Sequence, residues 1–119
     1  MGVLVPKEIE ELGRFYDIEM SAGEYLASND HLIPFLIEMA PVLGGYFPNC
    51  PLRIHLERDP ETGREEDLWA LAMWHDTENW RVASESLDRF RREWWFERSP
   101  RVARQLAVNF EFAEVEVAA

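Results

Sequence analysis

The sequence predicts a two-layer α+β domain, with helices on one face of a small antiparallel sheet in the order α-α-β-β-α-β. Two patterns carry this. Some segments repeat apolar residues every three or four positions, and others alternate apolar with polar. Pro- and Gly-rich punctuation at Pro41–Pro51 and Asp59–Gly63 separates them as turns rather than as a domain linker. A length of 119 residues, 47% of them hydrophobic, suits one domain with a real core.

From Pro6 to about Leu26, Ile9, Leu12, Tyr16 and Met20 recur at helical steps, weakened by Gly13 and Gly23. Ser28-Asn29-Asp30 then offers a helix start, because short polar side chains accept from the orphan N–H groups of a first turn. Behind it Leu32, Leu36, Met39 and Leu43 form one stripe, with Ile33, Ile37 and Ala40 beside it. Pro34 falls harmlessly in the first turn, Pro41 should kink or stop the helix, and Gly44-Gly45 should complete the stop.

Leu52 to Glu57 alternates as a half-buried strand, and Asp67 to His75 follows as its hairpin partner across an acidic loop. Placing Glu57 opposite Leu68 would put Leu52, Ile54 and Leu56 on a core face with Met73, Leu71 and Trp69. Arg53, His55, Glu57, Ala70, Ala72 and Trp74 would share the other face, and a slip of one residue would reverse the second strand. Asp76-Thr77 opens the cleanest helix, with Trp80, Ala83, Leu87, Phe90 and Trp94 in register to an end near Ser99-Pro100. Arg104 to Phe112 alternates again, and the parity reverses near Ala113, where a bulge, bend or strand end is expected. The economical sheet has three antiparallel strands with the first hairpin strand in the middle. Residues 1–27 thus form an N-terminal helical segment, 28–113 the α+β domain and 114–119 a C-terminal extension.

The formal charge is -11, from 23 acidic and 12 basic side chains. It is unevenly spread: residues 1–76 carry fifteen acids and five bases, whereas residues 77–113 carry six acids and seven bases. Such a surface repels nucleic-acid phosphates and anionic membranes. No apolar run reaches the roughly 18–20 residues needed to cross a bilayer. The N-terminus lacks the basic-then-apolar pattern of a secretory signal, so a cytoplasmic protein is expected. One cysteine, Cys50, excludes an internal disulfide framework.

The stretches HLIPFLIEMAPVLGGYFP, LRIHLERDPETGREEDL and LDRFRREWWFERSPRVARQLAVNFEF resemble a family of small bacterial proteins with no established activity. The landmarks are the proline-bearing helix after His31, Tyr46-Phe47, Asp59-Pro60-Glu61, and Leu87-Asp88-Arg89-Phe90 running to Glu93-Trp94-Trp95. The resemblance covers about residues 28–112. Members usually carry an acidic residue after that phenylalanine; here Arg91 makes the helix more basic.

No motif dictates a reaction. His31, His55 and His75 are scattered without His-x-x-x-His or Cys-x-x-Cys spacing, so neither metal nor cofactor is expected. There is no EF-hand, phosphate loop or nucleophile elbow. The leading expectation is therefore a non-catalytic interaction module, either a homodimer or the acidic partner of another protein. An antitoxin-like role fits by analogy alone. Its candidate interface residues are Trp74, Trp95, Arg53, His55 and Arg91, although core packing is the simpler role for Trp95. The alternative is a small enzyme or ligand binder using His55, Cys50, His75 and Trp74. A weaker one is RNA binding through Arg89, Arg91, Arg92, Arg98, Arg101 and Arg104 around the tryptophans, against which a salt-bridged solvated face is preferred.

Overall fold

Alternation and helical periodicity each find their element, but the chain connects them differently from the economical layout. The computed structural model describes residues 7–58, 61, 65–102 and 104–113. The proline before the first helix, most of the hairpin loop and the C-terminal extension lie outside the described residues.

The expected first helix is two helices with a strand between them. Helix α1 spans Lys7–Leu12, strand β1 Asp17–Ile18 and helix α2 Met20–Ser28. The break follows from Gly13 and from Tyr16. Gly13 closes α1 with its N–H on the Ile9 carbonyl at 2.9 Å. Tyr16 is 3% exposed and donates its hydroxyl to the Leu36 carbonyl at 2.8 Å. Burial pushes its phenol far above the ordinary range. Leu12, Ala22 and Leu26 enter the same core as the rest of the chain.

Helix α3, Leu32–Tyr46, runs through Pro41 and both glycines instead of stopping. Six of its side chains, from Leu32 to Leu43, are buried, which outweighs the one hydrogen bond Pro41 removes. The helix ends after Tyr46, with the Phe47 N–H on the Leu43 carbonyl at 3.0 Å. Asn49 then turns the chain with a φ of 66°, the left-handed region asparagine tolerates.

Among the described residues the sheet has four strands, not three, and is mixed. β2 spans Leu52–Arg58, β3 Glu65–Trp74 and β4 Leu106–Phe112, in the order β1-β2-β3-β4. β2 and β3 are antiparallel, whereas β1 runs parallel to β2 and β4 parallel to β3. β4 therefore lies beside the second hairpin strand, not the first. A helical crossover returns the chain in its original direction, which makes β3 and β4 a parallel pair, and β1 already occupies the outer side of β2.

The hairpin register is also one residue away from the expectation. Leu56 faces Leu68, and Glu57 faces Asp67. The core face of the sheet is thus Leu52, Ile54, Leu56, Leu68, Ala70 and Ala72, joined by Leu106 and Val108. Trp69, Leu71 and Met73 turn to the opposite face. The small Ala70 and Ala72 leave room over the sheet centre for the large side chains of the helical layer, such as Phe47, Phe90 and Leu36.

A 3₁₀ turn, Thr77–Asn79, leads into helix α4, Trp80–Phe90. Asp76 caps it, accepting from the Asn79 backbone and side-chain nitrogens at 3.3 and 2.6 Å. The helix continues through a π-helical stretch, Arg91–Trp95, into the short α5, Phe96–Arg98. Adjacent residues on an α-helix point about 100° apart, too far to share one narrow stripe. The wider π turn lets Trp94 and Trp95 both bury, at 8% and 9% exposure, against Phe35 at 5.5 and 5.9 Å. Trp80, placed on the apolar stripe by periodicity, is instead exposed, with Arg81 over its ring at 5.5 Å. Among the described residues no helix is long and apolar enough to cross a membrane.

Candidate functional site

The face of the sheet opposite the helices carries a group of charged side chains that the fold brings together from distant parts of the chain. β1 positions two of them. Asp17 and Glu19 are two residues apart on extended backbone and so share a face. The Glu19 N–H reaches the Ile54 carbonyl at 3.2 Å, continuing the parallel pairing by one residue. Asp17 then meets Arg53, Oδ2 to Nε at 3.6 Å, and Glu19 meets His55.

His55 is clasped from both sides. Its Nδ1 lies 2.7 and 2.9 Å from the two Glu19 oxygens, and its Nε2 lies 2.9 Å from Glu57 Oε2. A neutral imidazole has a single N–H, so only the doubly protonated ring satisfies both carboxylates. Desolvation lowers the His55 pKa, but the hydrogen bonds and charges of Glu57 and Glu19 outweigh it and leave the pKa raised. The cation also lies between the like charges of Glu19 and Glu57.

Around this clasp the face forms an open depression of about 450 Å³, with Trp69, Leu71 and Asn109 among its lining residues. Trp69 faces His55 across the hairpin, and Leu71 faces both Arg53 and Asn109. Glu111 adds a further carboxylate at the β4 side. The face therefore presents Asp17, Glu19, Glu57, Asp67 and Glu111 against Arg53 and the His55 cation.

This arrangement holds charges in place and leaves the imidazole no free lone pair to act as a base. With both nitrogens engaged, His55 has no lone pair for a proton or a metal ion. Among the described residues no group of three His, Cys, Asp or Glu side chains is arranged to hold a metal.

Of the residues singled out by sequence, Arg53 and His55 belong to this site. Trp74 does not: it packs edge-on to Phe47 and donates Nε1–H to the Asp76 carbonyl at 2.6 Å. Trp95 is buried between Phe35 and Phe90 and offers no surface anchor. Arg91 donates to the Val108 carbonyl at 3.0 Å and so covers the edge strand β4.

His55, Cys50 and His75 do not converge. His55 faces Trp69, and His75 lies six residues further along, a separation of about 20 Å at strand spacing. Cys50 is buried at that far end, and burial raises its thiol pKa.

The helical arginines also bond back onto the protein. Arg89 lies over Tyr46 and 3.8 Å from Glu93. Arg92 donates to the Asp88 carbonyl at 3.3 Å, and Arg98 lies over Trp94 at 5.1 Å.

Sequence reasoning missed Asp17 and Glu19, which it placed on a helix. The signal was the helix-ending Gly13 followed by the alternating Asp17-Ile18-Glu19.

No protein-family model, curated protein or solved structure matches the chain.

Proposed function

We propose that this chain is a non-catalytic interaction module whose open sheet face receives an arginine- or lysine-rich segment of a protein partner. The observation that carries this reading is the double clasp on His55. It fixes the imidazole of the face as a cation and leaves carboxylates in excess around the half-buried Trp69. Fixed charges of one sign favour a partner of the other, steering its approach and rejecting like-charged competitors. A tryptophan beside carboxylates suits a guanidinium, which stacks on the ring while its N–H groups reach the oxygens.

The same charge argument weighs against a homodimer through this face. A two-fold contact would set the five carboxylates against their own copies. An acidic module covering a basic protein is also what the antitoxin-like analogy describes.

The test is site-specific crosslinking in cells that make the protein. A photo-crosslinker replacing Asn109 should capture one basic protein, and the same group replacing Glu24, exposed on α2, should not. Capture should be lost when Glu57→Arg is added. Equal capture from both positions, or an acidic partner at Asn109, would refute the proposal.

A further inference from the structure

A second cavity, of about 300 Å³, opens between the start of α3 and the chain that follows α5, and it shares no lining residue with the sheet-face site. Its charge runs against that of the molecule. In a chain of formal charge -11, Arg98, Arg101 and His31 line it against the single carboxylate of Glu38. Among the described contacts Glu38 pairs with neither arginine, and Arg101 has no hydrogen-bond or ion-pair partner.

The other two nitrogen groups are held in place. Arg98 stacks over Trp94 at 5.1 Å, donates to the Trp94 carbonyl at 3.5 Å and lies 3.8 Å from Glu97. His31 is fixed by a chain of side chains. Gln105 donates its amide nitrogen to the Tyr25 hydroxyl at 3.2 Å and to Asn29 Oδ1 at 3.0 Å. Its Oε1 must therefore accept, and it does so from His31 Nε2 at 2.7 Å. That leaves Nδ1 as the ring nitrogen without a partner.

The remaining wall is apolar. Pro34, Phe35 and Val102 supply it, and Phe35 is locked against both tryptophans of the π-helical stretch. π-Helical turns frequently mark functional sites, and this one carries the ring on which Arg98 rests.

We infer that this cavity binds a small organic anion, a carboxylate or phosphate monoester on an apolar body. Guanidinium groups recognise both oxyanions through paired N–H donors. A stacked arginine, an unpaired arginine and an aromatic wall form the combination of a few polar groups in an apolar pocket that ligand sites show. The volume lies at the small end of the roughly 300–1,000 Å³ range of such sites, which suits a single-ring ligand.

The experiment is an NMR titration of the full-length protein with phenyl phosphate, benzoate, inorganic phosphate and benzyl alcohol. Phenyl phosphate or benzoate should give saturable shifts at the Arg98 and Arg101 side chains and at the Trp94 indole. Inorganic phosphate should bind at least about fivefold more weakly, and benzyl alcohol should leave these signals unmoved. Arg101→Gln should weaken binding about tenfold with the rest of the spectrum retained, because Arg101 is exposed and unpaired. Shifts that fail to saturate by about 10 mM, or that survive Arg101→Gln, would overturn the inference. Binding of inorganic phosphate as tight as that of the organic anions would do so too. Glu57→Arg on the sheet face should leave this binding intact, so the two proposals stand or fall separately.

Discussion

Tyr16 ties the N-terminal segment to the central helix by donating its hydroxyl to the Leu36 carbonyl at 2.8 Å. Leu36 O lies inside α3, so the bond adds to the helix rather than replacing one of its links. Tyr16→Phe keeps the ring and removes the donor. It should lower stability by about 1 kcal/mol. Tyr16→Ala also opens a cavity and should cost about 3–5 kcal/mol, by analogy with other aromatic truncations. Urea denaturation of both variants, with unchanged slope for Tyr16→Phe, checks the pair.

The His55 clasp predicts a direction for pH dependence. Its pKa in the folded protein lies above the ordinary 6.5. Its contribution to stability is therefore fully present below 6.5 and is lost as pH rises through the raised folded value. The denaturation midpoint of the wild-type protein should fall over that window relative to His55→Gln, which lacks the titrating group. The ring's own NMR titration should have its midpoint above 6.5. A midpoint at or below 6.5 would mean that the carboxylates do not hold the proton.

Two tryptophans of the region from Trp80 to Trp95 should behave differently on substitution. Trp95 is buried against Phe35 and Phe90, so Trp95→Ala should cost about 3–5 kcal/mol. Trp80 is 47% exposed, and Trp80→Ala should stay within about 0.5 kcal/mol. Thermal melts of the two variants would separate them by many degrees.

Arg91 should matter for solubility as well as stability. It covers a carbonyl of β4, an edge strand whose unpaired groups would otherwise invite another chain. Arg91→Ala should cost about 1–2 kcal/mol through the lost charged hydrogen bond. It should also raise self-association, measured by light scattering over a concentration series. An unaltered concentration profile would show that the edge is protected by other means.

The sequence made some of this legible and hid the rest for specific reasons. α3, the hairpin strands, the long helix after Asp76 and β4 were legible because each buries one face and so carries a clean period. The register was not. Leu68 to Trp74 is apolar at every position, so alternation gives no parity by which to choose between Leu71 and Ala70 for the core. β1 is too short to carry a period at all, and Tyr16 fits a helical stripe as well as it fits a tether. The candidate site inherits both gaps. Arg53, His55 and Glu57 stood together on one strand, while their partners Asp17 and Glu19 depended on an element of two residues. Trp95 needed the π turn, which no spacing announces.

Because Asp17 and Glu19 belong to the N-terminal segment, the sheet-face site is complete only when β1 and its flanking residues are docked on the middle of the chain. Docking and occupancy are therefore coupled equilibria. Whatever binds that face must hold the N-terminal segment in place by the same free energy with which the docked segment strengthens binding. A protease that cuts near Arg14 becomes a reporter of the bound state.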